Sequence, residues 1–243
     1  MRCTKFIKLT YIETKLVFKI PDIYLVAFAL PLIILLILNS LYSNSDQIIV
    51  TSCFSGISSI GIVGAGIMGL SSIVSEYREQ GVLRRYFVTP VNPVIYMMAV
   101  GISLAILAMV STAFVHIEFY ILLKYKIQCN IFIYILTYLY AMISVFAIGI
   151  LISSIAQNQR IANVITILIY FPSILLSGCT IPYENLPDKL KIVSDILPTT
   201  HAIRIVQNVI ENKDISHNVY SIIYITVVIF LCIYISPRVF KWE

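Results

Sequence analysis

The sequence predicts an all-α integral membrane protein. Of its 243 residues, 59% are hydrophobic and only 12% are charged, whereas about 25% of the residues in a soluble domain are charged. The apolar residues gather in six runs, each close to the ~20 residues that an α-helix needs to cross a bilayer. These runs cover residues 23–41, 48–74, 94–115, 127–155, 161–179 and 219–236. They use most of the chain, so we predict one transmembrane domain over residues 1–243 and no separate soluble catalytic domain.

Residues 1–22 precede the first span and predict an amphipathic helix. Their apolar residues recur at helical spacing, and their lysines lie along one flank. The apolar stripe contains Phe6, Leu9, Ile12, Leu16 and Ile20. Such a helix suits the headgroup plane of an anionic leaflet. Inside the first span, Pro31 predicts a kink.

The basic residues predict the orientation of the spans. Eleven Lys and Arg lie on the side shared by both termini, and six lie on the other side. The positive-inside rule then places both termini and residues 76–90 in the cytoplasm, and residues 180–218 outside. Because the basic residues flank spans rather than form one patch, we expect no nucleic-acid partner.

The second span is rich in small residues. Its Gly64-Ala65-Gly66-Ile67-Met68-Gly69 stretch formally matches a dinucleotide fingerprint. That fingerprint follows a strand in a soluble βαβ unit, whereas this match lies within an uncharged run of membrane length. The spacing of Gly61, Ala65 and Gly69 instead predicts close packing of another helix.

His116 and Glu118 end the third span as an ionisable pair. Two readings stay open for them: contact with a substrate or a proton, and simple placement at the outer interface. Being two residues apart on a helix, they point in different directions.

Residues 76–90 form a charged loop between two long uncharged runs. Val82, Leu83, Tyr86 and Phe87 make an apolar stripe, with charged residues opposite. We expect a helix over residues 76–87 that serves as a docking surface and ends before Pro90. Gly81 falls in the middle of this expected helix, which predicts that a neighbouring backbone approaches it closely.

Residues 180–218 predict a pair of short helices on the outer face. The first carries Leu186, Leu190, Val193 and Leu197, and the second carries Ile203, Val206 and Ile210. Thr199 and Thr200 are expected to cap the second helix. Both helices are too short and too charged to span, so we expect an interfacial or re-entrant hairpin.

Motifs for catalysis are missing from the sequence. It has no Walker A loop, no HExxH and no GxSxG, and its five cysteines lack metal-ligand spacing. We therefore expect no catalytic residue, no metal site and no cofactor bound by this chain.

Two stretches resemble a known family, the ABC-2 type permeases, which are membrane subunits of ATP-binding-cassette exporters. Tyr77-Arg78-Glu79-Gln80-Gly81-Val82-Leu83-Arg84-Arg85 with Val88-Thr89-Pro90 resembles the family's first cytoplasmic loop, most nearly in the daunorubicin-type drug-resistance branch. Leu176-Ser177-Gly178, Ile181-Pro182, Leu186-Pro187 and Leu197-Pro198-Thr199-Thr200-His201-Ala202 resemble its outer hairpin.

The resemblance implies a permease subunit in a bacterial inner membrane, paired with a second permease as a homodimer or a heterodimer. A drug-like, lipid or peptide substrate would move outward, and ATP and Mg²⁺ would bind to a separate ATPase subunit. The coupling helix would present Glu76, Arg78, Glu79, Gly81, Leu83, Arg84, Arg85, Tyr86 and Phe87. The outer gate would contain Pro182, Leu186, Pro187, Pro198 and His201.

Two alternatives belong to other functional classes. A stand-alone secondary transporter would move protons through His116 and Glu118, and would show two similar halves with broken helices. A membrane enzyme or assembly scaffold would need a polar cluster facing the bilayer. The sequence shows neither the repeat nor the cluster.

Overall fold

The computed structural model describes residues 2–42, 47–82, 93–123, 129–156, 158–178, 183, 186–213 and 218–240. Within these ranges the chain folds into helices without strands. The helices are α1 (Arg2–Val17), α2 (Pro21–Tyr24, Leu25–Ala29 and Leu30–Tyr42), α3 (Gln47–Val63, Gly64–Gly69 and Leu70–Glu79), α4 (Pro93–Leu123), α5 (Ile131–Ile155), α6 (Gln159–Leu176), α7 (Asp188–Ile196), α8 (Pro198–Ile210) and α9 (Val219–Val239). The middle segments of α2 and α3 are π-helical turns.

Five of these helices are long and apolar enough to cross a membrane: α3, α4, α5, α6 and α9. A sixth span is reached when α1 and α2, which meet at an 81° bend, are counted together. The prediction of an all-α integral membrane protein is confirmed, with five to six candidate spans in the described part of the chain.

Helix α3 is the centre of the bundle, because 89% of its most apolar window is buried against the other helices. Its glycines lie where neighbouring backbones come closest. A Cβ on Gly64 would stand 3.0 Å from the carbonyl oxygen of Val26 and 3.1 Å from Cα of Ala27. The same face carries Gly61 and Gly69, so the predicted close packing of small residues is confirmed.

The two π-helical turns lie against each other. The turn at Leu25–Ala29 stands just before Pro31, which has no N–H to donate to the carbonyl of Ala27. A Cβ on Gly61 would be 3.2 Å from that same carbonyl oxygen. The backbone of α2 is therefore irregular where α3 packs most closely on it.

The bundle has two distinct ends. At the first, here called the loop end, the C-termini of α3, α5 and α9 meet the N-terminus of α6. At the other, the hairpin end, α8 is buried against α3, α5 and α9. The predicted stripe of α8 is confirmed, because Ile203, Val206 and Ile210 are at most 2% exposed.

The remaining expectations for the hairpin are only partly met. Leu186 is buried, but Leu190 and Val193 are 40% and 44% exposed. The predicted Thr cap of α8 is wrong, since the helix starts one residue earlier, at Pro198. Proline suits a first helical position because it has a fixed φ and lacks an N–H. The hydroxyl of Thr199 instead donates to Oγ of Ser173, at 2.9 Å.

We expect Gly149→Ala to lower the free energy of unfolding by about 1–3 kcal/mol. Its new Cβ would fall on the carbonyl oxygen of Gly66 in α3, and backbone cannot move aside as a flexible side chain does. Thermal unfolding of the purified protein in detergent measures the effect.

The matched control for this change is Gly101→Ala. The nearest atom to its Cβ would be Cδ1 of Leu70, at an ordinary 3.9 Å. That substitution should keep the stability or raise it by up to ~1 kcal/mol, through helix propensity. Equal effects of the two substitutions would contradict the close contact of α3 with α5.

Candidate coupling site and outer hairpin

Arg78, in the last turn of α3, is buried at the loop end and only 8% exposed. Its Nη1 donates to the carbonyl of Ala156 at 2.5 Å, and its Nη2 donates to the carbonyl of Ser153 at 2.6 Å. Both carbonyls belong to the C-terminus of α5, where the helix dipole attracts a cation. The guanidinium also lies 4.5 Å from the centre of the Phe240 ring, which follows α9.

Glu79, the next residue, contacts the following helix. Its Oε2 accepts a hydrogen bond from the backbone N–H of Gln159 at 3.0 Å. Asn158 caps the same helix, α6, by accepting from the N–H of Ile161 at 2.9 Å. A carboxylate is favoured at a helix N-terminus by the orphan N–H groups and the dipole.

Arg78 and Glu79 together form what we call the brace. A cation meets the carbonyl end of α5 and an anion meets the amide end of α6, so each charge faces the helix end that suits it. From the sequence, both residues were expected on the coupling helix, facing an ATPase subunit. The structure gives Arg78 partners inside the chain and leaves Glu79 exposed.

The expected helix over residues 76–87 is interrupted at Gly81. Helix α3 ends at Glu79, and Gly81 has a φ of +67°, which is left-handed. Contrary to expectation, Gly81 is therefore not in the middle of a helix, and among the described residues no atom beyond its chain neighbours lies within 4 Å of its Cβ position, so the structure does not bear out the predicted close approach of a backbone. Glycine is favoured here because a helix commonly ends on a left-handed residue.

The other predicted coupling residues divide into two groups. Glu76 is half-buried, and its Oε1 accepts from Nε2 of Gln80 at 2.9 Å. Leu83, Arg84, Arg85, Tyr86 and Phe87 lie outside the described residues. A docking role for residues 76–90 stays a prediction.

Glu13 of α1 is buried near the brace. It is the one acidic residue between the first and the last of the basic residues of the N-terminal segment, Arg2 and Lys19. Tyr77 donates to its Oε2 at 3.2 Å. Burial raises the pKa of Glu13, while hydrogen bonds from Tyr96 and Tyr77 oppose the rise. The sequence analysis did not single out Glu13. Its negative charge among the basic residues of α1 was the feature that could have identified it.

The buried face of α1 differs from its apolar stripe. Thr14 donates to Oγ of Ser103 in α4 at 3.1 Å, and Val17 is fully buried. Ile12 and Leu16, which belong to the predicted stripe, are 54% and 44% exposed. Helix α1 thus packs on α4 through a partly polar face and leaves much of its apolar face uncovered.

At the hairpin end, His201 is fully buried. Its Nε2 donates to the carbonyl of Asp195 at 2.9 Å, so its Nδ1 accepts from the hydroxyl of Ser221 at 3.1 Å. The ring packs against Tyr224, with centroids 4.4 Å apart. Burial lowers the pKa of His201, and the nearby Arg204 lowers it further, against the pull of Asp195. The neutral imidazole therefore links α7, α8 and α9.

Asp195 holds a second set of contacts in the hairpin. It accepts from Nη2 of Arg204 at 2.8 Å and from the hydroxyl of Tyr183 at 2.9 Å. Burial by itself would raise the pKa of Asp195, but the bonds from Arg204 and Tyr183 outweigh it and the pKa is lowered. Arg204 also lies over the Tyr183 ring, 4.5 Å from its centre.

The other predicted gate residues bound these helices. Leu186 is 4% exposed, Pro187 stands directly before α7, and Pro198 opens α8. Pro182 lies outside the described residues. Pro187 and Pro198 thus mark the starts of α7 and α8, the two helices that His201 joins. Gating by these residues stays a prediction.

His116 and Glu118 lie toward the hairpin end of α4. Nδ1 of His116 donates to the carbonyl of Thr112 at 2.6 Å, and its ring meets Phe54 edge-on. Oε2 of Glu118 is buried without a hydrogen-bond partner among the described residues. The two side chains are not brought together, and a substrate contact for either stays a prediction.

We expect Arg78→Met to reduce the free energy of unfolding by about 2–4 kcal/mol, because the carbonyls of Ser153 and Ala156 lose a charged donor. Arg160→Met is the control at the same end, since Arg160 is exposed. It should change stability by less than ~0.5 kcal/mol. Thermal unfolding in detergent compares them, and equal midpoints would contradict the brace.

We expect His201 to make stability depend on pH below about 6.5. Its pKa is lower in the folded chain than in the unfolded chain, so only the unfolded chain takes up the proton as the pH falls through this range. The wild type should lose up to ~1.4 kcal/mol per pH unit. The slope should be smaller in His201→Gln, as measured by thermal unfolding between pH 7.5 and 5.5. Parallel curves would show that His201 does not titrate in this way.

Comparisons with known proteins cover most of the chain. The model of the ABC-2 type transporter family matches residues 4–210, which include the brace and both helices of the hairpin, α7 and α8. The inner membrane transport permease YhhJ of Escherichia coli (strain K12) is 25% identical over 165 residues, or 66% of this chain and 42% of that protein. The protein of the same name from Shigella flexneri matches to the same extent.

The chain covers less than half the length of these two relatives. No solved structure matches it. The match of the family model nevertheless extends over most of the chain, from α1 to the end of α8. The chain is therefore a multi-pass membrane protein that belongs to the ABC-2 type transporter family.

Proposed function

We propose that this chain is the permease subunit of an ATP-binding-cassette exporter in a bacterial inner membrane. ATP and Mg²⁺ bind to a separate ATPase subunit, which docks on residues 76–90 from the cytoplasm. A second permease subunit completes the path, along which a drug-like, lipid or peptide substrate moves outward. The family match and the printed name of the Escherichia coli relative support a role in transport.

The brace is the observation that carries this proposal. Residues 76–90 continue directly from α3, and Arg78 and Glu79 tie the end of α3 to α5 and α6. Phe240 adds the end of α9 through its contact with Arg78. A displacement of the docking loop therefore reaches three further helices through the buried contacts of Arg78 and the exposed contact of Glu79. A loop that merely connected two spans would need no such contacts.

Helix α1 supplies a second link to the same end. Glu13 joins it to Tyr77, one residue before Arg78. Its exposed apolar residues include Ile7, Ile12 and Leu16, which suit the lipid side of an interfacial helix. Both termini would then lie in the cytoplasm, as the distribution of basic residues predicts.

The hairpin supports the role of an outer gate. His201 and Asp195 hold α7 and α8 together, and His201 also contacts α9 through Ser221. Motion of α9 that begins at Phe240 would reach the hairpin through this histidine. One helix thus connects the brace to the proposed gate.

We expect a charge reversal in the docking loop to separate ATP hydrolysis from transport. The double variant Arg84→Glu with Arg85→Glu should insert in the membrane and still copurify with an ATPase subunit that hydrolyses ATP, yet lose most of its export. Charges at the rim of an interface set the register and the association rate more than the affinity, so the subunits should still assemble but in a faulty register. The measurements are copurification from native membranes, ATPase activity and export from inverted vesicles.

The matched control reverses two basic residues in the hairpin, Lys189→Glu with Lys191→Glu. It makes the same change in net charge at the opposite end of the bundle, at the modest cost of the exposed pair of Lys191 with Asp188. Export should survive in this control. If no nucleotide-binding subunit copurifies with the wild type, or if both double variants export equally, the proposal is wrong.

A further inference from the structure

A groove of about 600 Å³ opens on the side of the bundle between α4, α5 and α9, with α3 at its back. Its walls are almost wholly apolar, as Gly101, Ala105, Phe146 and Ile233 illustrate. Several wall residues are also exposed, among them Met98, Ile143 and Ile233, at 57%, 55% and 61%. The groove therefore faces outward from the bundle and does not form a closed cavity. Its volume falls in the range of ordinary ligand sites.

The groove occupies only the half of the bundle next to the loop end. On α9 its wall runs from Ile229 to Phe240, which corresponds to about 16 Å at the rise of an α-helix. The hydrocarbon core of a bilayer is ~30 Å thick, so the groove matches the depth of one leaflet. An acyl chain of that leaflet has the length and the apolar character that these walls require.

One polar group in the wall is left unpaired by the part of the chain that the structure describes. Ser236 is 5% exposed and lines the groove near its loop end, and its hydroxyl has no hydrogen-bond partner among the described residues. Ser154, also in the wall, already donates to the carbonyl of Ile150 at 2.7 Å. A buried hydroxyl without a partner is costly, so an acceptor supplied by a ligand would satisfy it.

Positive charge lies at the same end of the groove. The guanidinium of Arg78 rests on the ring of Phe240, which lines the groove, and its Nε has no hydrogen-bond partner among the described residues. Arg238 follows Ser236 by two residues, is exposed, and stacks on Tyr234. Cationic sites between spans suit phosphate headgroups. Toward the loop end the groove thus offers apolar walls, then the hydroxyl of Ser236, then nearby cations. These match, in the same order, the acyl chain, the ester oxygens and the phosphate of a phospholipid.

We propose that this groove binds one acyl chain of a phospholipid from the leaflet at the loop end. Ser236 donates to an ester or phosphate oxygen of that lipid. Water is a poor occupant because apolar cavities stay dry. An extended peptide is also unsuitable, since its backbone groups would lack partners at membrane depth. The site does not depend on the proposed transport cycle.

The test uses the full-length protein, with any subunit that copurifies, in vesicles of phosphatidylethanolamine and phosphatidylglycerol. These vesicles carry a trace of phosphatidylglycerol with a photoreactive diazirine in its acyl chain. After illumination, mass spectrometry locates the labelled residues. In the wild type we expect labels on the groove walls of α4, α5 and α9, well above those on exposed residues elsewhere, such as Leu168 of α6.

Two variants of α4 form a matched pair. Ala105→Leu fills the groove, whereas Ala113→Leu adds the same bulk to an exposed position outside it. Filling the groove should reduce labelling of its walls at least about tenfold, because several methylene groups of the lipid's acyl chain would no longer be buried there. Ala113→Leu should leave it unchanged. Gly101→Leu is a second filling variant, because its Cβ would have only an ordinary contact.

Ser236→Ala tests the polar end of the site. Loss of one hydrogen bond should weaken labelling about fivefold. Labels spread evenly over all exposed apolar residues, or unaffected by Ala105→Leu, would overturn the proposal. So would an unlabelled groove whose filling instead changes the oligomeric state, because a second protein chain would then be the occupant.

Discussion

The burial of one charged side chain constrains the loop end of this bundle. A guanidinium taken out of water costs several kcal/mol unless its donors are satisfied. Arg78 meets most of that requirement, because its Nη1 and Nη2 donate to the carbonyls of Ala156 and Ser153, which α5 exposes where its helix ends. The end of α3 and the end of α5 must therefore lie at the same depth. Phe240 covers the guanidinium, and this contact sets the position of α9 as well.

Glu79 extends the same constraint to α6. A chain that leaves α5 at Ile155 and enters α6 at Gln159 presents carbonyls and then amides within a few residues. Adjacent residues of opposite charge on α3 can satisfy both helix ends at once, because Arg78 suits the first and Glu79 the second. The brace therefore follows from the polarity of helix ends as much as from side-chain chemistry.

The sequence predicted the spans because each needs an apolar run of about 20 residues, and it predicted the hairpin helices from their apolar periodicity. It also predicted close packing on α3, since small residues at spacings of three and four have few other uses in a membrane. It could not predict the partners of Arg78, because these are backbone carbonyls, which every residue has whatever its side chain. The left-handed turn at Gly81 was missed because an apolar stripe continued past it into Val82.

The close packing of glycines and the brace together limit where this bundle can change shape. Gly64 and Gly149 bring α3 against backbone in α2 and α5, and backbone contacts leave no slack for sliding. At the loop end, α3 is also fixed to α5 and α6 by charged contacts. Relative motion is easier where contacts among the described residues are sparse, as between α1 and α2, which meet at a sharp bend, and between α4 and α9 on opposite sides of the open groove. A lipid chain in that groove would therefore occupy one of the few places where the spans are free to move apart.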